Sequence, residues 1–292
     1  MYDFACFGEV LWDVFPDHEK IGGAPLNVAL RLNSFGNNVA MISAVGNDEL
    51  GNQLKAYLEE NKLTSDFLQT DNRHETGRVN VTLDEKGSAS YDIKFPTSWD
   101  FIELNENNIK LAKQSKVFIY GSLICRNSVS KNTLYRLLEH SNFKVFDVNL
   151  RAPHYSFELL YELMAKADFV KFNDDELDLI TKSLNSGFTS IEENVTFIAE
   201  QFNVSHICVT RGGDGAVLYI NGKFYFNYGY SVVVKDTVGA GDSFLASLVH
   251  KIISKEQPQI ALNFACAVGA LVAGSEGANP KLSEAEILKM IG

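Results

Sequence analysis

The segment of the sequence best suited to chemistry runs from Lys235 to Phe244, where a Gly-Ala-Gly turn comes directly before Asp242. Apolar residues then recur at helical spacing, which predicts a helix over Gly241–Ser254. A small-residue turn that opens a helix aims backbone N–H groups outward with the positive end of the helix dipole behind them, and this geometry binds phosphate. An acid there would repel the anion unless it also had a task, such as removing a proton from an attacking hydroxyl. An ordinary first-turn acid, which stabilises a helix by about 0.5–1 kcal/mol, explains Asp242 equally well.

A second glycine cluster lies near the start of the chain, at residues 22–27, with the sequence Gly-Gly-Ala-Pro-Leu-Asn. The two glycines permit close approach of the backbone to a ligand, Pro25 suits a first helical turn, and Asn27 can project from that turn. A loop–helix junction with no ligand accounts for the same residues.

Two further turns lie where strands are predicted to end. At the first, Asn173 is followed three residues later by Glu176, as in a capping box. The carboxyl ends of strands are also where ligands bind in open α/β sheets, and carboxylates there could hold Mg²⁺ through water. The sequence favours the capping role. The second, Thr210–Gly215, is a glycine-rich turn that fits either a hairpin or a nucleotide-contacting loop.

Several enzyme classes lose their main support. The sequence holds no G-x-x-x-x-G-K-[ST], no G-x-S-x-G and no G-x-G-x-x-G after the first predicted strand, which disfavours P-loop ATPases, serine hydrolases and dinucleotide dehydrogenases. None of the 6 His residues has a partner at metal-ligand spacing, and the 4 Cys residues form no C-x-x-C. We therefore expect buried, reduced thiols and a cytoplasmic location.

The net charge of the chain restricts the classes of binding partner that we expect. The 292 residues include 26 basic and 37 acidic side chains, a formal charge of −11. An acidic surface repels phosphate backbones and anionic lipid, so nucleic acid and membranes are not expected as partners. A small anionic ligand remains compatible, because backbone amides and one or two cations can dominate locally. The N-terminus lacks a signal-peptide pattern, and the longest apolar stretch, Phe264–Gly274, is too short for a bilayer span.

Short β-branched runs alternate with segments of helical period, which predicts an α/β fold with a doubly wound, mostly parallel sheet flanked by helices. Strands are expected at residues 4–10, 39–45, 116–121, 144–148, 168–172, 206–210 and 216–220, and a β-rich run at Tyr230–Val234. A hairpin breaks this rhythm, with strands at Gly77–Leu83 and Ser88–Ile93 around an acidic turn at residues 84–87. A lid, a dimer interface and a plain edge hairpin all fit it.

The two glycine clusters, at this order and separation, resemble the ribokinase-like (PfkB) carbohydrate kinase family. Further similarity lies at Val45-Gly46-x-Asp48-x-x-Gly51, Asp147-x-Asn149-x-Arg151, Asn173-x-x-Glu176 and Thr210-Arg211-Gly212-x-x-Gly215, so the resemblance covers essentially the whole chain. It implies one ribokinase-like domain over residues 1–292, with a lid at about 76–101 and near 12–22. In the family the hairpin forms a lid and sometimes also a homodimer clasp.

The resemblance implies transfer of the γ-phosphoryl group of MgATP to a sugar hydroxyl. Asp242 would be the general base, and the amides of Gly239, Ala240 and Gly241 would form the anion hole. The implied sugar contacts are Asp13, Gly22, Gly23, Asn27, Arg151 and Asp242. The implied ATP contacts are Lys171, Asn173, Thr210, Gly212, Gly215, Gly239, Gly241, Asn263 and Cys266. Asn173 and Glu176 would serve Mg²⁺ through water.

Gly-Gly-Ala-Pro-x-Asn and Trp99-Asp100-x-Ile102 are similar to bacterial fructokinases, so fructose is the expected sugar. The alternatives are 2-keto-3-deoxygluconate, ribose, a nucleoside, and a non-catalytic sugar- or nucleotide-binding protein on the same fold. The family also implies a K⁺ site at Asp236, Val238, Ser275 and Gly277. Lys281 stands where relatives often carry a hydroxyl, which argues against K⁺ activation, and its ammonium could replace the ion.

Overall fold

A computed structural model describes residues 2–83 and 89–292. The acidic turn predicted at residues 84–87 lies outside the described residues. Within the described chain, no helix is both long enough and apolar enough to cross a membrane.

The strands in chain order are β1 (Phe4–Phe7), β2 (Leu11–Val14), β3 (Glu19–Gly22), β4 (Val39–Gly46), β5 (Leu68–Asp71), β6 (Gly77–Leu83), β7 (Ala89–Ile93), β8 (Val117–Gly121), β9 (Phe143–Asp147), β10 (Phe169–Asn173), β11 (His206–Thr210), β12 (Ala216–Ile220) and β13 (Lys223–Asn227). The α-helices are α1 (Ala24–Ser34), α2 (Glu49–Glu60), α3 (Glu106–Gln114), α4 (Ser128–Leu138), α5 (Phe157–Met164), α6 (Asp174–Ser183), α7 (Ile191–Phe202), α8 (Ala240–Ile253), α9 (Pro258–Ala273) and α10 (Glu284–Ile291).

The large sheet has nine strands in the order β13-β12-β11-β10-β9-β8-β1-β4-β5. The pairs β1–β4, β4–β5, β9–β10 and β10–β11 are parallel, whereas β11–β12 and β12–β13 are antiparallel. Every residue of β4 is buried, as expected for a parallel strand that helices cover on both faces. The predicted α/β fold with a mostly parallel, helix-flanked sheet is confirmed.

The chain divides into two compact units. The first unit comprises Met1–Asn33, Asn37–Phe118 and Ile124–Asn142, and the second comprises Ser34–Gly36, Ile119–Leu123 and Phe143–Gly292. The single domain over residues 1–292 therefore stays a prediction.

The first unit also holds a second sheet of four strands in the order β3-β2-β6-β7. Strands β6 and β7 are the predicted hairpin, which the structure confirms. Its partner is β2, which runs parallel to β6 with Leu11 opposite Gly77. The sequence reading missed β2 and β3, because strands of four residues carry too little alternation to be recognised.

The β-rich run Tyr230–Val234 is not a strand, so that expectation was wrong. Its side chains lie largely in solvent, with Val233 84% exposed. Strand propensity reflects packing against cross-strand neighbours. The antiparallel edge is instead formed by β13, which pairs with β12 from Ala216↔Asn227 to Ile220↔Lys223.

Candidate active site

The turn before α8 has a backbone that only glycine adopts readily. Gly239 is the N-cap of α8 with φ 75° and ψ −2°, in the left-handed region. A Cβ atom at this position would lie 2.5 Å from Cβ of Ala278, so a side chain would also collide. The chain reaches the N-terminus of α8 in this conformation because residue 239 has no side chain.

The amides of this turn are not equivalent. The amide of Ala240 donates to the carbonyl of Thr237 at 3.2 Å, and the amide of Ser243 donates to the carbonyl of Gly239 at 2.8 Å. The amide of Gly241 makes no hydrogen bond within the part of the chain that the structure describes. The amide of Gly241 is therefore the group best placed to donate to an anion at the positive end of this 14-residue helix. Asp242 lies in the same turn and is half-buried.

A buried ammonium group lies beside Gly241. Nζ of Lys171 donates to Oδ1 of Asp147 at 2.9 Å, and Lys171 and Asp147 are only 6% and 5% exposed. A Cβ atom built on Gly241 would lie 3.8 Å from this Nζ. Burial disfavours the charged lysine, but Asp147, Glu176 and Asp242 together more than compensate and raise the pKa of Lys171. The lysine is therefore a fixed positive charge next to the turn that opens α8.

Glu176 links the helix that follows β10 to the loop that follows β9. It forms the predicted capping box with Asn173: Asn173 Oδ1 accepts from the Glu176 amide at 2.7 Å, and Glu176 Oε2 accepts from the Asn173 amide at 2.8 Å. Oε1 of Glu176 accepts from the amide of Leu150 at 2.8 Å. Burial raises the pKa of Glu176, although Lys171 acts in the opposite direction. We name Asp147, Lys171 and Glu176 the lysine cluster.

The lysine cluster and Asn173 offer few direct ligands to Mg²⁺. Among the described residues there is no group of three or more His, Cys, Asp or Glu side chains that could hold a metal. Each Glu176 oxygen already accepts one amide and keeps one lone pair. The residues thus fit a contact to Mg²⁺ through water, in which phosphate oxygens and waters provide the direct ligands.

Arg151 lies just beyond the loop that Glu176 holds. Asn149 has a positive φ of 38°, and the exposed Arg151 donates from Nη1 to the carbonyl of Leu150 at 2.9 Å. The Glu176–Leu150 hydrogen bond thus fixes the backbone from which the Arg151 side chain extends.

The turn Thr210–Gly215 joins two antiparallel strands, so its hairpin interpretation is confirmed. Gly215 has φ 81° and packs directly against the backbone of Asn227, where a side chain would collide. Asn227 in turn donates to Oδ1 of Asn263 at 2.9 Å. The structure therefore brings Gly215 and Asn263 to one region, and Thr210 is tied to β10 by a hydrogen bond to the carbonyl of Phe172 at 3.3 Å.

Cys266 belongs to the buried face of α9. Burial raises the pKa of Cys266 to about 12, although nearby Arg211 acts to lower it. Cys266 is therefore a neutral thiol, and its contribution to a nucleotide site would be apolar contact. Gly212, with φ 54°, has open space where a side chain would be.

Asp236 already uses both carboxylate oxygens. Oδ1 accepts from the amide of Val238 at 3.0 Å, and Oδ2 accepts from the amide of Gly277 at 3.2 Å. The structure thus brings Asp236, Val238 and Gly277 together, while Ser275 donates its hydroxyl to Leu271. Lys281 is exposed, and its replacement of the ion stays a prediction.

Four of the six predicted sugar contacts lie together in the first unit. A Cβ atom on Gly22 would overlap Oδ2 of Asp13, and one on Gly23 would lie 2.5 Å from the carbonyl of Glu9. Gly23 also has φ 113°, and its carbonyl accepts from the amide of the buried Asn27 at 2.9 Å. We name Asp13, Gly22, Gly23 and Asn27 the glycine cluster. It is a place where the absence of side chains leaves room for a carboxylate.

Two buried ion pairs were not predicted from the sequence. Asp147 had no assigned role, although it pairs in register with Lys171 across β9 and β10. The signal was an acid and a lysine at the carboxyl ends of two successive buried strands. The second is Asp100, which is fully buried and accepts two hydrogen bonds from Arg126, at 2.7 and 2.8 Å, so this part of the Trp99-Asp100 motif is structural.

A glycine turn at a helix N-terminus, with an acid in the first turn and on a mostly parallel α/β sheet, is the arrangement expected of a phosphotransferase. The family described as pfkB family carbohydrate kinase matches residues 2–285, and the chain belongs to this family. It is a carbohydrate kinase, which transfers a phosphoryl group to a sugar hydroxyl.

Proteins similar to this chain in sequence or structure are named fructokinase or sugar kinase. A fructokinase from Solanum tuberosum is 30% identical over 313 residues, covering 98% of this chain and 94% of the relative. A double mutant of a fructokinase from Vibrio cholerae, solved with fructose, ADP and a potassium ion, superimposes with a TM-score of 0.85 at 25% identity, covering 100% and 99% of the two chains. An uncharacterized sugar kinase from Pyrococcus horikoshii in complex with ATP gives a TM-score of 0.85 at 26% identity, covering 99% of each chain.

Proposed function

We propose that this chain is an ATP-dependent fructokinase, which transfers the γ-phosphoryl group of ATP to a hydroxyl of fructose. The observation that carries the proposal is the Gly239–Gly241 turn at the N-terminus of α8, with Asp242 in that turn and Lys171 beside Gly241. The fructokinase relatives support fructose as the sugar.

Asp242 takes the proton of the attacking hydroxyl as general base. The hydroxyl oxygen then forms a bond to the γ-phosphorus while the bond from that phosphorus to the β–γ bridging oxygen breaks, which releases ADP. Because the carboxylate lies in the first turn of α8, the backbone holds it at the same helix terminus that binds the phosphoryl group.

The anion hole stabilises the charge on the transferring group. The amide of Gly241 is its main donor, and the amide of Ala240 contributes when it turns away from Thr237. Lys171 adds a positive charge that Asp147 holds in place, so the lysine side chain does not have to move during the reaction.

The remaining predicted contacts bind the two substrates. Asp13, Gly22, Gly23 and Asn27 hold sugar hydroxyls, and Arg151 contacts the sugar or the transferred phosphate. The Thr210–Gly215 turn with Asn263 and Cys266 holds the nucleotide, and Asn173 and Glu176 contact the phosphates and Mg²⁺ through water. The metal neutralises charge on the phosphates when it is bound.

A substrate panel tests the proposal. ADP release is measured by a coupled assay with fructose, ribose, 2-keto-3-deoxygluconate, tagatose and adenosine at saturating MgATP, with and without added K⁺. We expect the highest kcat/KM for fructose. A higher value for another acceptor would replace fructose as the substrate, and no turnover with any sugar would contradict the proposal.

A further inference from the structure

The segment Gly46–Gly51, with the sequence Gly-Asn-Asp-Glu-Leu-Gly, has no role in the reaction proposed above. We name it the Asp48 turn. Asp48 is the N-cap of α2, and its Oδ1 accepts from the amide of Gly51 at 2.8 Å. An ordinary N-cap needs only this hydrogen bond. Asp48 makes two more, both to Thr76: Oδ1 accepts from the Thr76 hydroxyl at 2.6 Å and Oδ2 from the Thr76 amide at 2.8 Å.

The contact between this turn and Thr76 is closely packed. Thr76 is fully buried, and its hydroxyl accepts from the amide of Gly46 at 3.0 Å. A Cβ atom on Gly46 would lie 2.6 Å from the Thr76 amide nitrogen, and one on Gly51 would collide with the carbonyl of Gly46. The two glycines are thus needed for the approach, and the Thr76 hydroxyl has both of its hydrogen-bonding roles satisfied.

The charge state of Asp48 suits this arrangement. Burial acts to raise the pKa of Asp48, but hydrogen bonds from Thr76 and Gly51 outweigh it, so the pKa lies below its ordinary value. At neutral pH the carboxylate is ionised, and hydrogen bonds to an ionised acceptor are stronger than those between neutral groups.

Thr76 immediately precedes β6, which is the parallel neighbour of β2. In this pairing Leu11 lies opposite Gly77 and Asp13 lies opposite Val79. The Asp48 turn also reaches β2 directly, because Nε1 of Trp12 donates to the carbonyl of Leu50 at 3.2 Å. It therefore holds both the start of β6 and the residue next to Asp13.

We infer that Asp48 and Thr76 are positioning residues for sugar binding, which fix the strand pair β2–β6 and thereby the Asp13 carboxylate. The inference rests on the proposed function, because that proposal assigns Asp13 to the sugar. Strand β2 has only four residues, so its position depends on its neighbours β3 and β6. A hydroxyl and a carboxylate to which no substrate contact is assigned then control the affinity for the sugar.

The test compares Thr76→Val, Thr76→Ser and Asp48→Asn. Valine keeps the shape of threonine but removes the hydroxyl, whereas serine keeps the hydroxyl. We expect Thr76→Val and Asp48→Asn to raise KM for fructose roughly tenfold or more, since small misplacements of a binding group have large effects. KM for ATP and kcat at saturating substrates should stay within about twofold, and Thr76→Ser should restore KM for fructose. The matched control is Thr70→Val, which removes an exposed hydroxyl that accepts a hydrogen bond from Lys55.

Hydrogen–deuterium exchange gives a readout that does not need turnover. We expect Thr76→Val to speed amide exchange in Leu11–Val14 and Gly77–Asn80, and at Gly46, whose amide loses its acceptor, but not in residues 39–45 of the buried strand β4. Unchanged exchange in β2, or lowered thermal stability with an unchanged KM for fructose, would overturn the inference. A wild-type chain that phosphorylates no sugar would contradict the proposed function instead. In that case fast exchange in β2 would still show that Thr76 fixes the strand, and unchanged exchange would overturn that as well.

Discussion

The lysine cluster of the second unit and the glycine cluster of the first unit differ in how many charged groups they hold and in how deeply those groups are buried. The lysine cluster buries charged groups at the ends of β9 and β10, where Lys171 and Asp147 are 6% and 5% exposed. In the glycine cluster the one charged group is Asp13, half-buried, and two glycines leave space beside it.

The proposed function assigns a different substrate to each of these two regions. A transferring phosphoryl group carries negative charge, and fixed positive groups in a water-poor setting stabilise it best. A sugar is neutral and needs hydrogen bonds at defined positions. The lysine cluster should therefore tolerate loss of one charge poorly, whereas the glycine cluster should be sensitive to added volume.

The largest effect is expected at Asp242, the proposed general base, whose charge acts on Lys171 of the lysine cluster. Asp242→Asn keeps the size of the side chain but cannot accept the proton of the attacking hydroxyl. We expect kcat to fall about 10²–10⁴-fold, while fructose binding measured by calorimetry survives. The matched control is Glu284→Gln, which removes a comparable first-turn acid from α10 and should leave kcat unchanged. An unchanged kcat in Asp242→Asn would remove the base assignment.

The second effect concerns stability. Lys171→Met leaves Asp147 and Glu176 buried without their cation, and breaking a buried pair in this way costs about 3–5 kcal/mol. Urea unfolding should show this loss, together with a reduced kcat. The control Lys182→Met removes an exposed i,i+4 ion pair with Asp178 and should change stability by less than about 0.5 kcal/mol.

A double variant makes this prediction sharper. Adding Asp147→Asn to Lys171→Met removes one of the unpaired charges, so part of the lost stability should return while kcat stays low. If the single variant were as stable as the wild type, the buried ion pair would not hold this region together.

The smallest effect is expected in the glycine cluster. Gly22→Ala places a methyl group where Oδ2 of Asp13 lies, and the carboxylate, at the end of a flexible side chain, must move. We expect KM for fructose to rise roughly tenfold, with unfolding free energy within about 1 kcal/mol of the wild type. Gly269→Ala, whose nearest contact would be an ordinary 3.5 Å, is the control. An unchanged KM for fructose would contradict the assignment of Asp13 to sugar binding.

Local signals predicted much of the fold. The strands β11 and β12 were expected with the bounds that the structure has, because each is a short β-rich run bounded by turn residues. The capping box of Asn173 and Glu176 was predicted from spacing alone, since it depends only on residues three apart.

The strand predictions that failed concern segments whose structure depends on strands distant in the chain. Tyr230–Val234 has strand composition but lies in solvent, whereas the short β2 and β3 form strands because they pair with each other and β2 also pairs with β6. Strand formation needs a neighbour, and no window of residues contains that information.

The sequence by itself determined the family, the mostly parallel α/β architecture and the glycine turn that opens α8, because these depend on residue types at short spacing. Only the tertiary structure decided that Asp147 pairs with Lys171, and that Asp48 holds Thr76 at a separation of 28 residues. The physical reason is that strand register and loop packing bring these groups together, and both are properties of the folded chain.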